Sequence, residues 1–192
     1  MDNKNIKYKI LKEAIHLIET IGWKDFSISK LSRIRNIEIH QIKFFFKTKT
    51  SILKEFTKMI DESVLEEISI EDLESCSTKD NLFEFIMLRF EKLEPYKIML
   101  KKFLIDIKSQ PIVLKTISKQ ISNSLDLYLE LSNAKNNYFI DQIKLNTFFL
   151  MYAYIFKIWL EDDSTEMNRT MAELDKWLSK AEMYSKKINL IF

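Results

Sequence analysis

A short run of polar side chains could contact an anion or the edge of a base. Amide, imidazole and ammonium groups at helical spacing can donate hydrogen bonds to phosphate oxygens and to base edges. Thr48 is also a candidate helix N-cap, so Lys47 and Lys49 beside it could hold a phosphate at the start of the next helix. The residues of this run are His40, Gln41, Lys43, Lys47, Thr48 and Lys49.

Other chemistries have no comparable set of residues. The chain has two histidines and one cysteine, Cys76, and no acidic cluster at metal-ligand spacing. No Ser/His/Asp set, glycine-rich phosphate loop or carboxylate pair in a known motif is visible. His16 lies in an apolar stretch, and we interpret it as a structural residue. We therefore expect no metal, no cofactor and no enzymatic activity.

The composition predicts an all-α protein with a sizeable core. Of the 192 residues, 46% are hydrophobic and 30% charged, and the chain has one glycine and two prolines. So few turn residues leave little material for β-hairpins. A single cysteine rules out an internal disulfide. The lysine-rich N-terminus lacks an apolar signal segment, and the longest apolar run, 148–156, is too short to span a bilayer. We expect a cytoplasmic protein.

Charge is unevenly distributed along the chain. Residues 1–55 hold twelve Lys/Arg and six Asp/Glu, a net of +6. The remaining residues hold eighteen Lys/Arg and twenty-two Asp/Glu, a net of −4. A basic N-terminal part on a mildly acidic body suggests a contact with a polyanion. The alternative is that these lysines only solvate exposed faces.

The apolar spacing predicts about nine helices and no strands. The first runs from about residue 6 to Ile21, and Gly22 follows it, where a left-handed residue ends a helix. Ser27 is the N-cap candidate of the second helix, and a break at Asn36-Ile37 precedes a third at about 39–45. We interpret the acidic stretch 66–74 as a connection. Long helices are predicted at 112–132, at 138–161 and from about 165 onward.

Two short helices joined by a tight turn form a geometry that lets a helix enter the DNA major groove. Residues 7–56 resemble the DNA-binding domain of TetR-type transcriptional regulators, without a gap. The matching positions are Gly22-Trp23, Ser27-Ile28, Leu31-Ser32, Asn36-Ile37 and Phe44-Phe45-Phe46-Lys47-Thr48-Lys49. The resemblance implies a helix-turn-helix domain at 1–50 and a helical ligand-binding and dimerisation domain at 51–192. The DNA contacts that we then expect are Ser27, Lys30, Arg33, Ile39, His40, Gln41, Lys43, Phe44, Lys47, Thr48 and Lys49.

Four positions depart from the family pattern, and all concern DNA contact. Asn36 stands where glycine is usual, but asparagine tolerates the left-handed conformation. Glu38 places a negative charge where phosphates should approach, although it suits the helix dipole. Phe44 and Phe45 lack the hydroxyl or imidazole group that often touches the backbone. These departures leave open that the module no longer binds DNA and that its lysines are ordinary surface residues.

The resemblance also implies a ligand cavity and a homodimer. Phenylalanine and methionine residues in the body can fill a core or line a pocket for a small apolar effector. The candidate pocket residues are Phe83, Met87, Phe90, Met99 and Phe103. The last two predicted helices carry enough apolar surface for a two-fold interface, or they are core helices of a monomer. The candidate interface residues are Phe149, Tyr152, Phe156, Met171, Leu174 and Leu178.

A second, shorter resemblance supports a different function. The stretches 159–164 and 170–175 are similar to the C-terminal part of a ubiquinone-biosynthesis family that keeps a TetR-like fold, binds lipid and does not regulate transcription. Under that alternative the apolar body holds a lipid, and an amphipathic segment from Trp177 to Phe192 touches a membrane. Our main expectation remains a homodimeric repressor that binds a double-stranded DNA operator and is released by a small apolar effector.

Overall fold

The computed structural model describes residues 3–135 and 138–187, apart from the side chains at positions 138, 186 and 187. Every regular element in these ranges is helical, as the composition predicts. A single turn of 3-10 helix, Glu94–Tyr96, separates the sixth and seventh α-helices. The α-helices are α1 (Asn3–Ile21), α2 (Ile28–Arg35), α3 (Ile39–Phe45), α4 (Lys49–Leu65), α5 (Ile70–Ser75), α6 (Thr78–Leu93), α7 (Lys97–Ile107), α8 (Pro111–Leu131), α9 (Tyr138–Glu161) and α10 (Asn168–Lys187).

The described ranges contain ten α-helices where the sequence predicts about nine. The extra helix is α5, in the acidic stretch interpreted as a connection. It buries none of its residues, so no apolar periodicity marks it. Glu71 and Asp72 in its first turn suit the positive end of the helix dipole. The Asn81 side chain donates to the Leu73 carbonyl at 2.8 Å, which ties α5 to α6.

Helix packing divides the chain into two compact units, and residue 50 is not their boundary. The first unit comprises Met1–Met59 and Pro95–Gln120, and the second comprises Ile60–Glu94 and Ile121–Phe192. Residues 95–120 thus pack with the N-terminal helices although they lie far from them in sequence. Helices α4 and α8 each contribute residues to both units. A separate functional domain at residues 1–50 stays a prediction.

The first unit is built around α1 and the turn that follows it. Helix α1 buries an apolar stripe and packs against α7. Trp23, fully buried after α1, meets the Phe103 ring of α7 edge-on, with 5.4 Å between centroids. The Trp23 indole N–H donates to Gln110 Oε1 at 3.3 Å, and the Lys24 amide donates to Asp106 Oδ2 at 3.1 Å. Helix α7 therefore holds the connection between α1 and α2.

The second unit has an aromatic core. The Phe90 ring of α6 stacks on Tyr152 and Trp159 of α9, with centroids 5.6 and 5.3 Å away. Helices α6, α9 and α10 all pack on one another. The Trp159 indole N–H, a polar group buried with its ring, donates to Glu94 Oε2 at 2.9 Å. Burial of three large rings supplies much of the apolar stabilisation of this unit.

A charged side chain lies inside the same unit. Arg89 is 3% exposed, and its guanidinium pairs with the Asp61 carboxylate. It also donates to the Tyr152 and Tyr128 hydroxyl groups, each at 3.1 Å. Burial alone would lower the pKa of Arg89, but these partners raise it well above its ordinary value, so the guanidinium stays charged. Ser124 Oγ completes the cluster by donating to Asp61 Oδ2 at 2.7 Å.

Candidate nucleic-acid interface

The turn after α1 has the geometry that the sequence predicts. Gly22 has φ of 82°, and its amide donates to the Ile18 carbonyl at 2.9 Å. This left-handed residue satisfies a carbonyl at the helix end without steric cost. A Cβ at Gly22 would lie 3.0 Å from Asp106 Oδ2, so the position is crowded as well as left-handed. The prediction for Gly22 is confirmed.

Helix α2 and the turn that follows it are also set by local residues. Ser27 Oγ accepts the Lys30 amide at 3.1 Å, which confirms Ser27 as the N-cap of α2. Asn36 ends α2 with φ of 51° and ψ of 44°. Asparagine therefore adopts the left-handed conformation that glycine supplies in the family pattern. The Ile37 amide donates to the Ser32 carbonyl at 3.1 Å, which closes the turn into α3.

Helix α3 presents a mixed polar and apolar face to solvent. Ile42 is fully buried and anchors the helix. On a helix, positions four apart share a face, so His40 and Phe44 lie together on the outward side. Both are exposed, and so is Lys43, while Gln41 is half-buried. Ile39, the first residue of α3, is 39% exposed.

Glu38 precedes α3 and stays open to solvent. Its carboxylate caps no backbone amide of α3. Its Oε2 lies 3.4 Å from His40 Nδ1, in a pair whose side chains are both more than three-quarters exposed. An exposed pair of this kind contributes little to stability. A negative charge therefore stands at the open end of α3, as the sequence suggests.

Lys49 does not fit its predicted role as a phosphate contact. Its Nζ donates to the Trp23 carbonyl at 2.6 Å and to the Phe26 carbonyl at 3.1 Å. The ammonium also lies 4.3 Å from the centroid of the Trp23 ring. Burial lowers the pKa of Lys49, while the nearby carboxylates of Asp106 and Asp25 oppose that shift. Because two of its three donors bind part-buried carbonyls of the turn after α1, we remove Lys49 from the candidate phosphate contacts.

The neighbouring candidate DNA contacts are Lys47 and Thr48 at the start of α4 and Lys30 and Arg33 on α2. Lys47 is exposed. The Ser51 amide donates to Thr48 Oγ1 at 3.2 Å and the Thr48 amide donates to Ser51 Oγ at 3.3 Å, a reciprocal cap at the start of α4. Lys30 is half-buried, and Arg33 is exposed on α2.

Structural roles that the sequence did not indicate belong to Arg35, Asp106 and Gln110. Arg35 Nε lies 3.1 Å from Glu13 Oε2, and its Nη2 lies 2.6 Å from His16 Nδ1, so α2 is tied to α1. This contact also gives His16 the structural role expected for it. The roles of Arg35, Asp106 and Gln110 could not be assigned from sequence, because their partners are distant along the chain.

The residues of the predicted effector pocket are divided between the two units. Met99 and Phe103 belong to the first unit, while Phe83, Met87 and Phe90 belong to the second. Phe103 is packed against Trp23, and Phe90 is packed in the aromatic core. Four of the five are buried, and Phe83 is half-buried. The methionine and phenylalanine side chains at these positions therefore pack in the core. An effector site among them stays a prediction.

The surface between α9 and α10 carries an apolar groove. A groove of about 640 Å³ lies between these helices. Of the predicted interface residues, Tyr152 and Leu174 are buried within one chain, and Leu178 lines the groove floor. Phe149, Phe156 and Met171 are half-buried. The exposed apolar side chains that line the groove are Ile143, Leu150, Tyr154, Trp177 and Tyr184.

Two further searches concern only residues 3–135 and 138–187. None of the helices there combines the length and apolar composition of a transmembrane span. The same ranges bring together no group of three or more His, Cys, Asp or Glu side chains suited to a metal ion. The C-terminal stretch 188–192, part of the predicted amphipathic segment, lies outside the described residues.

Comparison with known proteins identifies the fold. No family model and no curated protein matches the sequence. Among solved structures, the chain is similar to the crystal structure of the TetR transcriptional regulator from Nitrosomonas europaea ATCC 19718. The TM-score is 0.74 at 14% identity, and the match covers 92% of this chain and 98% of that chain. The protein therefore has the all-α fold of a TetR regulator, as the resemblance in residues 7–56 implies.

Proposed function

We propose that the protein is a TetR-type transcriptional regulator that binds double-stranded DNA as a homodimer in the cytoplasm. The observation that carries this proposal is the α2–turn–α3 geometry. A capped α2 ends at a left-handed Asn36, and α3 follows with His40, Lys43 and Phe44 on its open side. A short helix presented in this way fits the major groove. The TetR-like fold supports the same function.

The candidate contacts divide by their chemistry. His40, Gln41 and Lys43 on α3 can donate to base edges, and Ile39 lies at the N-terminal end that reaches bases in this motif. Lys47 beside α4 and Lys30 and Arg33 on α2 can contact phosphates. The basic charge of residues 1–55 supports a polyanion partner.

We propose a second copy of this chain as the occupant of the α9–α10 groove. The exposed side chains come from two adjacent helices, so a two-fold axis would pair the same surface with itself. Apolar residues of this size are typical of the buried centre of a homodimer interface. A dimer carries two α3 helices, and a near-palindromic operator offers a half-site for each of them.

We further propose that a small apolar effector acts on the second unit and relieves repression. Helix α4 is one continuous helix with residues in both units, so it offers a route between effector and DNA contact. The effector must bind the DNA-binding arrangement of the protein and its released arrangement with different affinity, since otherwise it shifts no equilibrium between them. Loss of DNA affinity on adding candidate apolar compounds tests this part.

Part of the similarity behind the lipid-binding alternative also has a structural explanation. The similarity includes the stretch 159–164 and Thr170, and three of these residues, Asp162, Ser164 and Thr170, are joined by hydrogen bonds. Asp162 accepts hydrogen bonds from both the amide and the hydroxyl of Ser164 and of Thr170. These hydrogen bonds give the three residues a local structural role that requires no lipid.

A genomic-fragment binding selection tests the proposal. Purified full-length protein is incubated with sheared genomic DNA at moderate salt, and the retained fragments are sequenced. We expect a short near-palindromic site, with affinity that falls steeply as salt rises because several phosphate contacts release counterions. Recovery of no site, together with co-purified lipid found by mass spectrometry, would instead support the lipid-binding alternative.

A further inference from the structure

Phe44 is the most exposed large apolar side chain of α3. It is 72% exposed, compared with 39% for Ile39 at the start of the helix. It lies four residues after His40, on the face opposite the buried Ile42. Phe44 therefore lies near the C-terminal end of α3, on the face that this helix turns toward the proposed DNA.

The ring of Phe44 is held in place by a neighbour. It meets the Phe45 ring edge-on, with 4.9 Å between centroids and 86° between planes. Phe45 in turn lies 6.4 Å from the buried Phe46 ring. This series of rings leads from the core to the surface. A ring positioned in this way loses little conformational freedom when it meets a partner.

A phenyl ring offers no hydrogen bond to a phosphate oxygen, so it adds little to backbone contact. Among the groups that base pairs present in the major groove, the C5-methyl of thymine is the apolar one. Phe44 also borders an open groove of about 430 Å³ with Ile6 and Gln41, so its surroundings leave room for a base edge.

We propose that Phe44 is a specificity-determining residue that contacts thymine C5-methyl groups in the operator. The inference rests on the proposed DNA-binding function and adds the chemistry of one readout. It gives Phe44 a role that needs neither a hydroxyl nor an imidazole group. The departure from the family pattern then becomes a sequence preference rather than a loss of function.

The experiment replaces thymine with deoxyuridine in the selected operator, which removes only the methyl group. Each thymine of the half-site is replaced in turn, symmetrically in both halves, and the dissociation constant is measured by fluorescence anisotropy. At one or two positions we expect wild-type affinity to fall about fifteenfold, since loss of one buried methyl corresponds to about fourfold per half-site. At the remaining positions it should stay within about twofold.

Two variants make the result specific. Phe44→Ala should bind the thymine operator more weakly and should no longer respond to deoxyuridine. Lys47→Ala is the matched control, because it should weaken binding while keeping the full response. Both side chains are exposed, so neither variant should unfold the protein, and circular dichroism checks this.

The outcomes separate the two proposals. A selected operator whose deoxyuridine scan is flat, or whose half-sites lack thymine, overturns the inference and leaves DNA binding intact. If Phe44→Ala weakens binding but keeps the wild-type deoxyuridine response, Phe44 acts on the backbone and the inference is again wrong. Recovery of no operator contradicts the proposed function itself, and this inference with it.

Discussion

At the scale of single residues, two lysines two positions apart have different surroundings. Lys49 donates to two backbone carbonyls of the turn after α1 and lies over the Trp23 ring. Lys47 is exposed at the start of α4. Removing Lys49 would take the charged donor away from both carbonyls, although the Trp23 carbonyl also accepts the Phe26 amide at 3.3 Å. Loss of the donor to a part-buried carbonyl costs more than the hydrogen bond itself contributes. The two side chains should therefore affect different properties of the protein.

Alanine at each position separates stability from DNA binding. Lys49→Ala should lower the free energy of unfolding by about 2 kcal/mol, because two hydrogen bonds from a charged donor are lost. Lys47→Ala should leave stability unchanged and weaken DNA binding nearly equally across sequences, with a salt slope lower by about one. Urea unfolding and anisotropy titrations at several salt concentrations measure both. Equal loss of stability in the two variants would contradict the assignment.

At the scale of elements, one carboxylate organises the connection from α9 to α10. Asp162 follows α9 and accepts the amide and hydroxyl of Thr170 at 2.8 and 2.7 Å. Burial acts to raise the pKa of Asp162, but hydrogen bonds from Ser164 and Thr170 outweigh it and hold the pKa well below its usual range. The carboxylate must therefore be ionised for this connection to have its full stability.

The sign of the pH effect follows from that shift. When the pKa of a carboxyl group is lower in the folded state, acidification protonates the unfolded state at a higher pH than the folded state. The contribution of Asp162 to the free energy of unfolding is therefore complete at neutral pH and declines below about pH 4. Asp162→Asn should lower the free energy of unfolding by about 2 kcal/mol at pH 7. The difference in this free energy between the variant and the wild type should become smaller at pH 3. Denaturant titrations at both pH values measure this. The exposed Asp163→Asn is the control, and a pH-independent gap for Asp162→Asn would contradict the mechanism.

The buried Arg89 cluster links α4, α6, α8 and α9 within the second unit. Arg89→Met leaves the Asp61 carboxylate without its guanidinium partner and should cost about 3 kcal/mol. Adding Asp61→Leu removes the unpaired charge, so the double variant should be more stable than Arg89→Met alone. A double-mutant cycle by urea unfolding measures the coupling. Additive effects of the two substitutions would show that the pair does not act as a unit.

At the scale of the whole molecule, the proposed dimer rests on the α9–α10 groove. Leu150 is 69% exposed at this surface, whereas the predicted Tyr152 and Leu174 are buried inside one chain. Exposed apolar side chains grouped along a groove are typical of protein interfaces. Testing the groove therefore requires the exposed residues, and substitutions at the buried ones would report stability instead.

Leu150→Glu should raise the dimer dissociation constant at least about thirtyfold, equivalent to about 2 kcal/mol, because it places a charge in the apolar interface. Sedimentation velocity over a concentration series measures this dissociation constant. Operator affinity should also fall, because fewer dimers are present. Ile112→Glu is the control, since Ile112 is 78% exposed and lies in the first unit. A Leu150→Glu protein that remains dimeric at the same concentrations would contradict the proposed interface.

The sequence by itself determined the features that depend on neighbouring residues. Glycine at position 22, a hydroxyl at Ser27 and asparagine at position 36 each fix a local backbone geometry through sterics or a short hydrogen bond. The scarcity of glycine and proline, with apolar residues at helical spacing, determined the all-α class. The order of residue types along 7–56 was also enough to indicate the resemblance to a TetR-type domain.

Tertiary structure alone decided which side chains remain available for function. The Lys24 amide and the Asp106 carboxylate of α7 are 82 residues apart in sequence and share a hydrogen bond, so no local pattern could place α7 against the turn after α1. The same holds for Lys49, whose carbonyl partners lie 26 and 23 residues away. Apolar pattern likewise could not separate the buried Tyr152 from the exposed Leu150 on α9, because its helix is apolar on nearly every side. Side-chain type is local information, but exposure and partners arise only when distant segments pack.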